Sequence, residues 1–378
     1  MAVTNFDSAE AEHFRSQLRK WLDSNIPDRW KTDRESLDAD ELQQFQRNWD
    51  AVLQRGGYAG LDWPQEFGGR GLGAVEELIY YQESARANAP EGFGRIGRVL
   101  AGPTIIARGT EQQKARYLAP ILDGSEIWCQ GFSEPGAGSD LAAVKTNAVR
   151  VDGGYRVTGQ KIWTSFAQYA QKCLLLAQTS DGPRHRNLSF FLLDMDQPGV
   201  DIRPIKQISG SEEFSEVFFT DAFVADPDRV GHEGEGWSVA MTVLTNERGT
   251  TEAATRLVEI TSDVDTLRTC CATGNSAAER TKQLRQRTDL LRWHILRATE
   301  EKAAGADWYR CGSTLKVMWS ELLQESDRLG VETECEKHRD YWRNRYLESR
   351  GASIYSGTNE IQRNIITDRV LEVPRYKV

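Results

Sequence analysis

The stretch WCQGFSEPGAGSDLAAVKT (residues 128–146) is where this chain changes character. Its Gly-Ala-Gly-Ser-Asp turn exposes successive backbone N–H groups, a concavity suited to an anion, with the hydroxyls of Ser133 and Ser139 nearby. Taken alone, the same residues also read as a tight turn between domains. Working upstream, the pattern is helical. In DSAEAEHFRSQLRKWLDSN, Asp7 and Glu10 are spaced as a capping box, and Phe14, Leu18, Trp21 and Leu22 recur at helical spacing. ADELQQFQRNWDAVLQRGG sets Leu42, Phe45, Trp49 and Leu53 on one face and stops at Gly56-Gly57. Further helical patterns cover 76–88, 99–108 and 111–122. Downstream, short runs rich in Val, Ile, Phe and Thr continue to about residue 230, and Asp152-Gly153-Gly154 between two of them is a hairpin signal. Helical spacing returns at Gly236 and holds to the C-terminus, with breaks expected at 272–279 and around Gly330.

The order helical, β, helical predicts a mixed, mainly α protein: an N-terminal α-helical domain (1–122), a middle β-domain (123–234) and a C-terminal α-helical bundle (235–378). No βαβ alternation occurs, so a doubly wound nucleotide-binding fold is not expected. The 378 residues, 39% hydrophobic and 27% charged, have ordinary globular composition and no low-complexity tract. Net charge is −9, from 47 basic and 56 acidic residues, which argues against general nucleic-acid binding. No apolar run has membrane-spanning length. The N-terminus lacks the basic and apolar regions of a secretory signal, and the six cysteines have no disulfide or zinc spacing. A cytoplasmic location is therefore expected.

P-loop, zinc-helix and nucleophile-elbow motifs are absent, and five scattered histidines make no metal cluster. The aromatic and basic residues of EKHRDYWRNRYLESR (336–350) superficially suggest a stacking platform for single strands. Five acids balance five Lys/Arg from Glu332 to Arg350, so it reads instead as a solvated helix with an aromatic core stripe. Cys270-Cys271 reads as packing. Two other segments carry chemistry. QKIWTS (160–165) sets Trp163 beside Thr164 and Ser165, an aromatic wall with hydroxyl donors suited to a flavin, although a tryptophan at a strand end is also ordinary core. ASIYSGTNEIQRNIITDRVLEVPR (352–375) joins a Gly-Thr turn to a helix start, where N–H groups meet phosphate.

In this order and at these separations, the three segments resemble the acyl-CoA dehydrogenase family of flavoproteins. So do LDWPQEFGGRGL (61–72), GTEQQKARYLAPIL (109–122) and NERG (246–249). The resemblance runs from about residue 5 to the C-terminus. It implies a middle β-barrel-like domain, a C-terminal four-helix bundle and FAD held between them. It places flavin contacts at Gln130, Phe132, Ser133, Gly138, Trp163, Thr164, Ser165, Thr358 and Glu360. It places Ser139 on the thioester arm of an acyl-CoA or acyl-carrier substrate. The implied reaction is α,β-dehydrogenation of an acyl thioester, with electrons leaving through an electron-transferring flavoprotein or a similar acceptor. Family members are homotetramers or related dimers.

Abstracting a proton beside a thioester needs a carboxylate in a dry pocket, its pKa raised toward the working pH. Many members supply it in Tyr-Glu-Gly-Thr, but this chain reads Tyr355-Ser356-Gly357-Thr358, and serine cannot be that base. A second family arrangement has Glu directly before Arg on the first long helix of the C-terminal domain. Glu247-Arg248 stands there, so Glu247 is the expected base and Arg248 a substrate contact, or alternatively the ion-pair partner of Glu252. The family's Arg-x-x-Phe-Gly and Gln-x-Phe-Gly-Gly interface motifs are missing from 274–287 and 324–334. That leaves open a bulky acyl substrate such as a steroid side chain, a hetero-oligomer with a related subunit, a silent subunit completing a partner's site, or a flavin monooxygenase on the same fold.

Overall fold

A computed structural model describes residues 6–33, 36–247, 250–271, 275–306 and 309–374; the side chains of Ala39, Glu247, Cys270, Tyr309 and Arg310 lie outside that description. Helices α1 (Ala9–Asn25), α2 (Asp28–Asp33), α3 (Ala39–Gly56), α4 (Ala74–Arg86), α5 (Gly102–Arg108) and α6 (Glu111–Asp123) precede the strands. These are β1 (Trp128–Gly131), β2 (Asn147–Val151), β3 (Gly154–Ser165), β4 (Lys172–Gln178), β5 (Leu188–Asp194), β6 (Val200–Ile205), β7 (Phe214–Ala225) and β8 (Arg229–Val230). Then come α7 (Gly236–Glu247), α8 (Thr250–Thr266), α9 (Asn275–Ala303), α10 (Tyr309–Glu332), α11 (Arg339–Ser349) and α12 (Asn359–Ile365). The chain forms two compact units, Met1–Ile26 with Leu72–Ala89 and Arg248–Val378, and Pro27–Gly71 with Pro90–Glu247.

Local chemistry sets the element ends. Asp38 and Glu41 close a capping box on α3, which stops at Gly57 in the left-handed conformation (φ 73°). Thr110 and Gln113 do the same for α6, and Gln113 Nε2 also donates to the carbonyls of Pro227 and Arg229, tying that helix to the sheet's last turn. The cap of α1 is Ser8, whose hydroxyl accepts from Ala11 N, rather than Asp7; both residues suit an N-cap, and the helix starts one residue later than the Asp7–Glu10 spacing implies.

One eight-stranded sheet runs in the order β6–β7–β3–β2–β4–β5–β8, with β1 parallel to β4. The hairpin signal is met: β2 and β3 pair antiparallel around Asp152-Gly153, with Gly153 at φ 73°. Its core includes Tyr155, Val157, Phe191, Leu193, Val217 and Phe219.

In the helical unit, Leu257, Ile260 and Val264 of α8, Leu291 and Ile295 of α9, Trp319 and Leu323 of α10 and Trp342 of α11 share one core. The break expected around Gly330 is met: α10 ends at Glu332 and α11 begins at Arg339. Gly330 itself lies in the last turn of α10, where a Cβ would lie 2.1 Å from the Trp342 ring, and only glycine lets the indole seat against the backbone. Among the described residues, no helix is long and apolar enough to cross a membrane, and no group of His, Cys, Asp or Glu is arranged to hold a metal ion.

Candidate active site

The 128–146 segment is held from beneath by a lysine. Side chains of β3 alternate, so 155, 157 and 161 face inward, and Lys161 is fully buried. Its Nζ donates to Glu134 Oε1 (2.8 Å) and to the Phe132 carbonyl (3.0 Å). Glu134 also accepts from the backbone N–H groups of Lys145 (2.6 Å) and Thr146 (2.9 Å). Burial alone would raise the Glu134 pKa; the Lys161 charge and these donors overcome it and hold the carboxylate below its ordinary range. A tight turn closes over the pair, with Glu134 and Ala137 exchanging backbone hydrogen bonds (3.0 Å each). Gly138 and Ser139 are thereby presented to solvent, and nothing lies within 4 Å of where a Gly138 Cβ would be.

A bulge in β3 builds the adjoining wall. Lys161 pairs with Val217 and Thr164 with Ser215, so β3 carries one extra residue there. The Ile162 N–H instead donates to the Ser133 carbonyl (2.9 Å), joining the end of β1 to the end of β3. Trp163, at φ 61°, turns outward and is 55% exposed, its edge against Phe214. Gln130, Ser133 and Ser165 are half-buried on the adjoining strand ends, and Phe132 is buried beneath. An outward indole flanked by two serine hydroxyls and an open glycine turn fits a flat heterocycle with polar edges, as FAD requires.

Thr164 behaves differently. It is fully buried, and its Oγ1 has no hydrogen-bond partner among the described residues. The bulge that turns Trp163 outward turns Thr164 into the core.

The C-terminal segment belongs to the other unit. Ser356 and Gly357 both have positive φ (53° and 80°), and Gln362 Nε2 donates to the Ser356 carbonyl (2.8 Å). Asn359 Oδ1 accepts from Lys316 Nζ (2.8 Å) and Ser320 Oγ (3.1 Å), anchoring the turn in the core. Thr358 caps α12, its oxygen accepting from Ile361 N (3.2 Å). The Glu360 carboxyl is held below its usual range by its own backbone N–H and by Thr358.

Glu247 is the last residue of α7; its side chain and all of Arg248 lie outside the described residues. At the other end of that helix, Trp237 stacks face to face on His185 (4.5 Å, 10°). His185 sits between Arg184 and Arg186 in the exposed β4–β5 loop, and Arg184 pairs with Asp140, next to Ser139. This basic and aromatic corner and the Lys161–Glu134 pair escaped sequence reading. A lysine at an inward-facing strand position was the available signal for the second. The platform suggested by 336–350 is not built: Trp342 is core, and the Tyr341 hydroxyl donates to buried Asp263.

Models for the N-terminal, middle and C-terminal domains of acyl-CoA dehydrogenases match residues 8–125, 129–222 and 234–371. The acyl-CoA dehydrogenase IpdE1 of Mycobacterium tuberculosis (strain ATCC 25618 / H37Rv) is 40% identical, over 97% of this chain and 98% of its own. IpdE1 of Mycolicibacterium smegmatis is 38% identical with the same coverage. Among solved structures, a chain of the ChsE4-ChsE5 complex from Mycobacterium tuberculosis has a TM-score of 0.82 at 28% identity, over 97% of this chain and 98% of its own. A chain of the Tcur3481-Tcur3483 steroid ACAD has a TM-score of 0.84 at 23% identity, over 98% and 100%, a likeness of fold. The chain therefore belongs to the acyl-CoA dehydrogenase family and is an FAD-dependent oxidoreductase.

Proposed function

We propose that this enzyme dehydrogenates a bulky acyl-CoA, of steroid side-chain or similar type, between its α and β carbons, with Glu247 as the base. The observation that carries this reading is the pair of positions 356 and 247. Serine fills the turn where the family's common glutamate stands, while a glutamate directly before arginine closes α7. Glu247 takes the α-proton. Ser133 and Ser165 donate to the flavin edges, Trp163 walls it, and Gln130, Phe132, Gly138, Thr358 and Glu360 complete its surroundings. Ser139 and Arg248 hold the substrate arm. FAD, when bound, supplies the acceptor for the β-hydrogen as hydride, and an electron-transferring flavoprotein or similar acceptor takes the electrons onward.

Two lines support coenzyme A as the carrier and a bulky acyl group. The Arg184–His185–Arg186 loop, with Trp237 stacked on the imidazole, suits a polyanion with an aromatic head, and Arg184 adjoins Ser139 through Asp140. The structural relatives include a protein described as a steroid ACAD. A second reading, a subunit that works only beside a related chain, is favoured by the two missing interface motifs and by relatives solved as two-chain complexes.

The test is anaerobic titration of the purified protein with straight, branched and steroid acyl-CoAs, following flavin absorbance. Bleaching by the bulky thioesters, with Glu247→Gln retaining FAD and losing ~10²–10⁴ in turnover, is the expected result. Turnover of Glu247→Gln within tenfold of wild type removes Glu247 from the role. Protein that holds no FAD and bleaches only after a related chain is added selects the second reading.

A further inference from the structure

Helix α7 carries Trp237 in its first turn and ends on Glu247, so whatever fixes its entry bears on both. Two strands hold that entry. From β5, Ser189, fully buried, accepts the Gly234 N–H on Oγ (3.1 Å), and the same oxygen is bonded to Thr179 Oγ1 (2.8 Å). From β3, the Tyr155 hydroxyl donates to Glu233 Oε2 (2.7 Å). The chain is thus pinned on two sides just before the first helical residue.

That residue is Gly236, and it lies directly on the Ser189 backbone. A Cβ at 236 would stand 2.5 Å from the Ser189 Cα and carbonyl carbon, and 2.7 Å from its N. Carbon atoms in contact sit about 3.5–4.0 Å apart. Ser189 pairs with Ala177 of β4 and is not free to retreat. Glycine at 236 therefore sets how deeply α7 seats on the sheet. Further along, Val239, Ala240 and Val243 are buried, and Arg108 Nε donates to Thr242 Oγ1 (3.2 Å). At a rise of about 1.5 Å per residue, Glu247 stands ~16 Å from Gly236 on the same helix.

We infer that Ser189 and Gly236 are positioning residues for the dehydrogenation. Their contact sets the depth of α7 and, through it, the reach of Glu247 to the substrate's α-carbon. Both are buried and act through the helix. The inference rests on the reading of Glu247 as the base.

The test compares wild type, Gly236→Ala, Ser189→Ala and Glu247→Gln, with Ser238→Ala as a control on the exposed side of the same turn. The probe is a steroid side-chain acyl-CoA, unlabelled and α-deuterated, with turnover expressed per bound FAD. Gly236→Ala should displace the helix entry by about 1 Å in a crystal structure and lower kcat per FAD by ~10²-fold. Its α-deuterium isotope effect should exceed that of wild type, because proton removal becomes slower. Ser189→Ala, which loses the Gly234 hydrogen bond alone, should lower kcat by ~10-fold and carries the test if Gly236→Ala does not fold. Ser238→Ala should match wild type. A purely structural defect lowers FAD content and leaves kcat per FAD, KM and the isotope effect unchanged, and that result overturns the inference. Wild-type turnover in both positioning variants beside an impaired Glu247→Gln overturns it alone. No turnover of the probe by wild type, or wild-type turnover in Glu247→Gln, overturns the underlying reading and this inference with it.

Discussion

Lys161, fully buried, donates from Nζ to Glu134 Oε1 at 2.8 Å, and this pair bears the turn that presents Gly138 and Ser139. Glu134→Gln leaves the ammonium buried without its counter-charge, at an expected cost of ~3–5 kcal/mol, with loss of retained FAD. The ionised carboxylate stabilises the fold above its unfolded pKa, near 4.5, and that contribution disappears as pH falls through the lower folded value. The melting-temperature gap between wild type and Glu134→Gln should therefore be widest at neutral pH and close in acid. A gap constant from pH 7 to 3 would contradict the ionised pair.

Asp327 of α10 is buried beside Arg345 (3.8 Å) and beside Asp263, which already binds that guanidinium at 3.1 Å. Burial pushes the Asp327 carboxyl up to about 7, against the pull of Arg345 and with the repulsion of Asp263. The folded chain keeps this proton up to that pH, whereas the unfolded chain releases it near 3.8. Stability conferred by the proton is full below 3.8 and is lost as pH rises through about 7. Asp327→Asn should match wild type near pH 4 and exceed it by ~1–4 kcal/mol at pH 8 in denaturant titrations. An advantage that does not grow with pH would disprove the buried proton.

Thr164 offers a cleaner separation of fold from cofactor. Valine has its shape without the partnerless hydroxyl, so Thr164→Val should be neutral or stabilising by ~1 kcal/mol in urea unfolding, with FAD content unchanged. Loss of flavin in this variant would return Thr164 to the cofactor's edge.

Gly330→Ala pits helix propensity, worth ~1 kcal/mol in favour, against a Cβ 2.1 Å from the Trp342 ring. Overpacking should win by ~1–3 kcal/mol net, read as a lower melting temperature. A stabilised variant would show that the indole can move aside.

Much of the fold was legible because its signals are local. Gly57 beyond α3 and Gly153 in the hairpin each act within a few residues, and each lies where the sequence pattern put it. What stayed hidden depends on partners distant in sequence. Gly330 marks the helix end, but its part in seating the Trp342 ring shows only once that ring is seen against it. The lysine of QKIWTS gives no hint of Glu134, 27 residues earlier. The direction of Trp163 turns on one extra residue, which alternation alone cannot locate. In the candidate site, the strand-end residues and the glycine turn were legible as motifs, whereas the ion pair supporting them was not.

The outward set of Trp163 has a practical consequence. Backbone geometry aims this ring, since the bulge and the left-handed φ orient position 163 whatever side chain it carries. If Trp163 walls the flavin as proposed, fold and cofactor environment can be adjusted independently there. A graded series at this position (Phe, Tyr, Leu) should change the proposed flavin-facing wall with little penalty in thermal stability, read as shifts in the absorbance of bound FAD at an unchanged melting temperature.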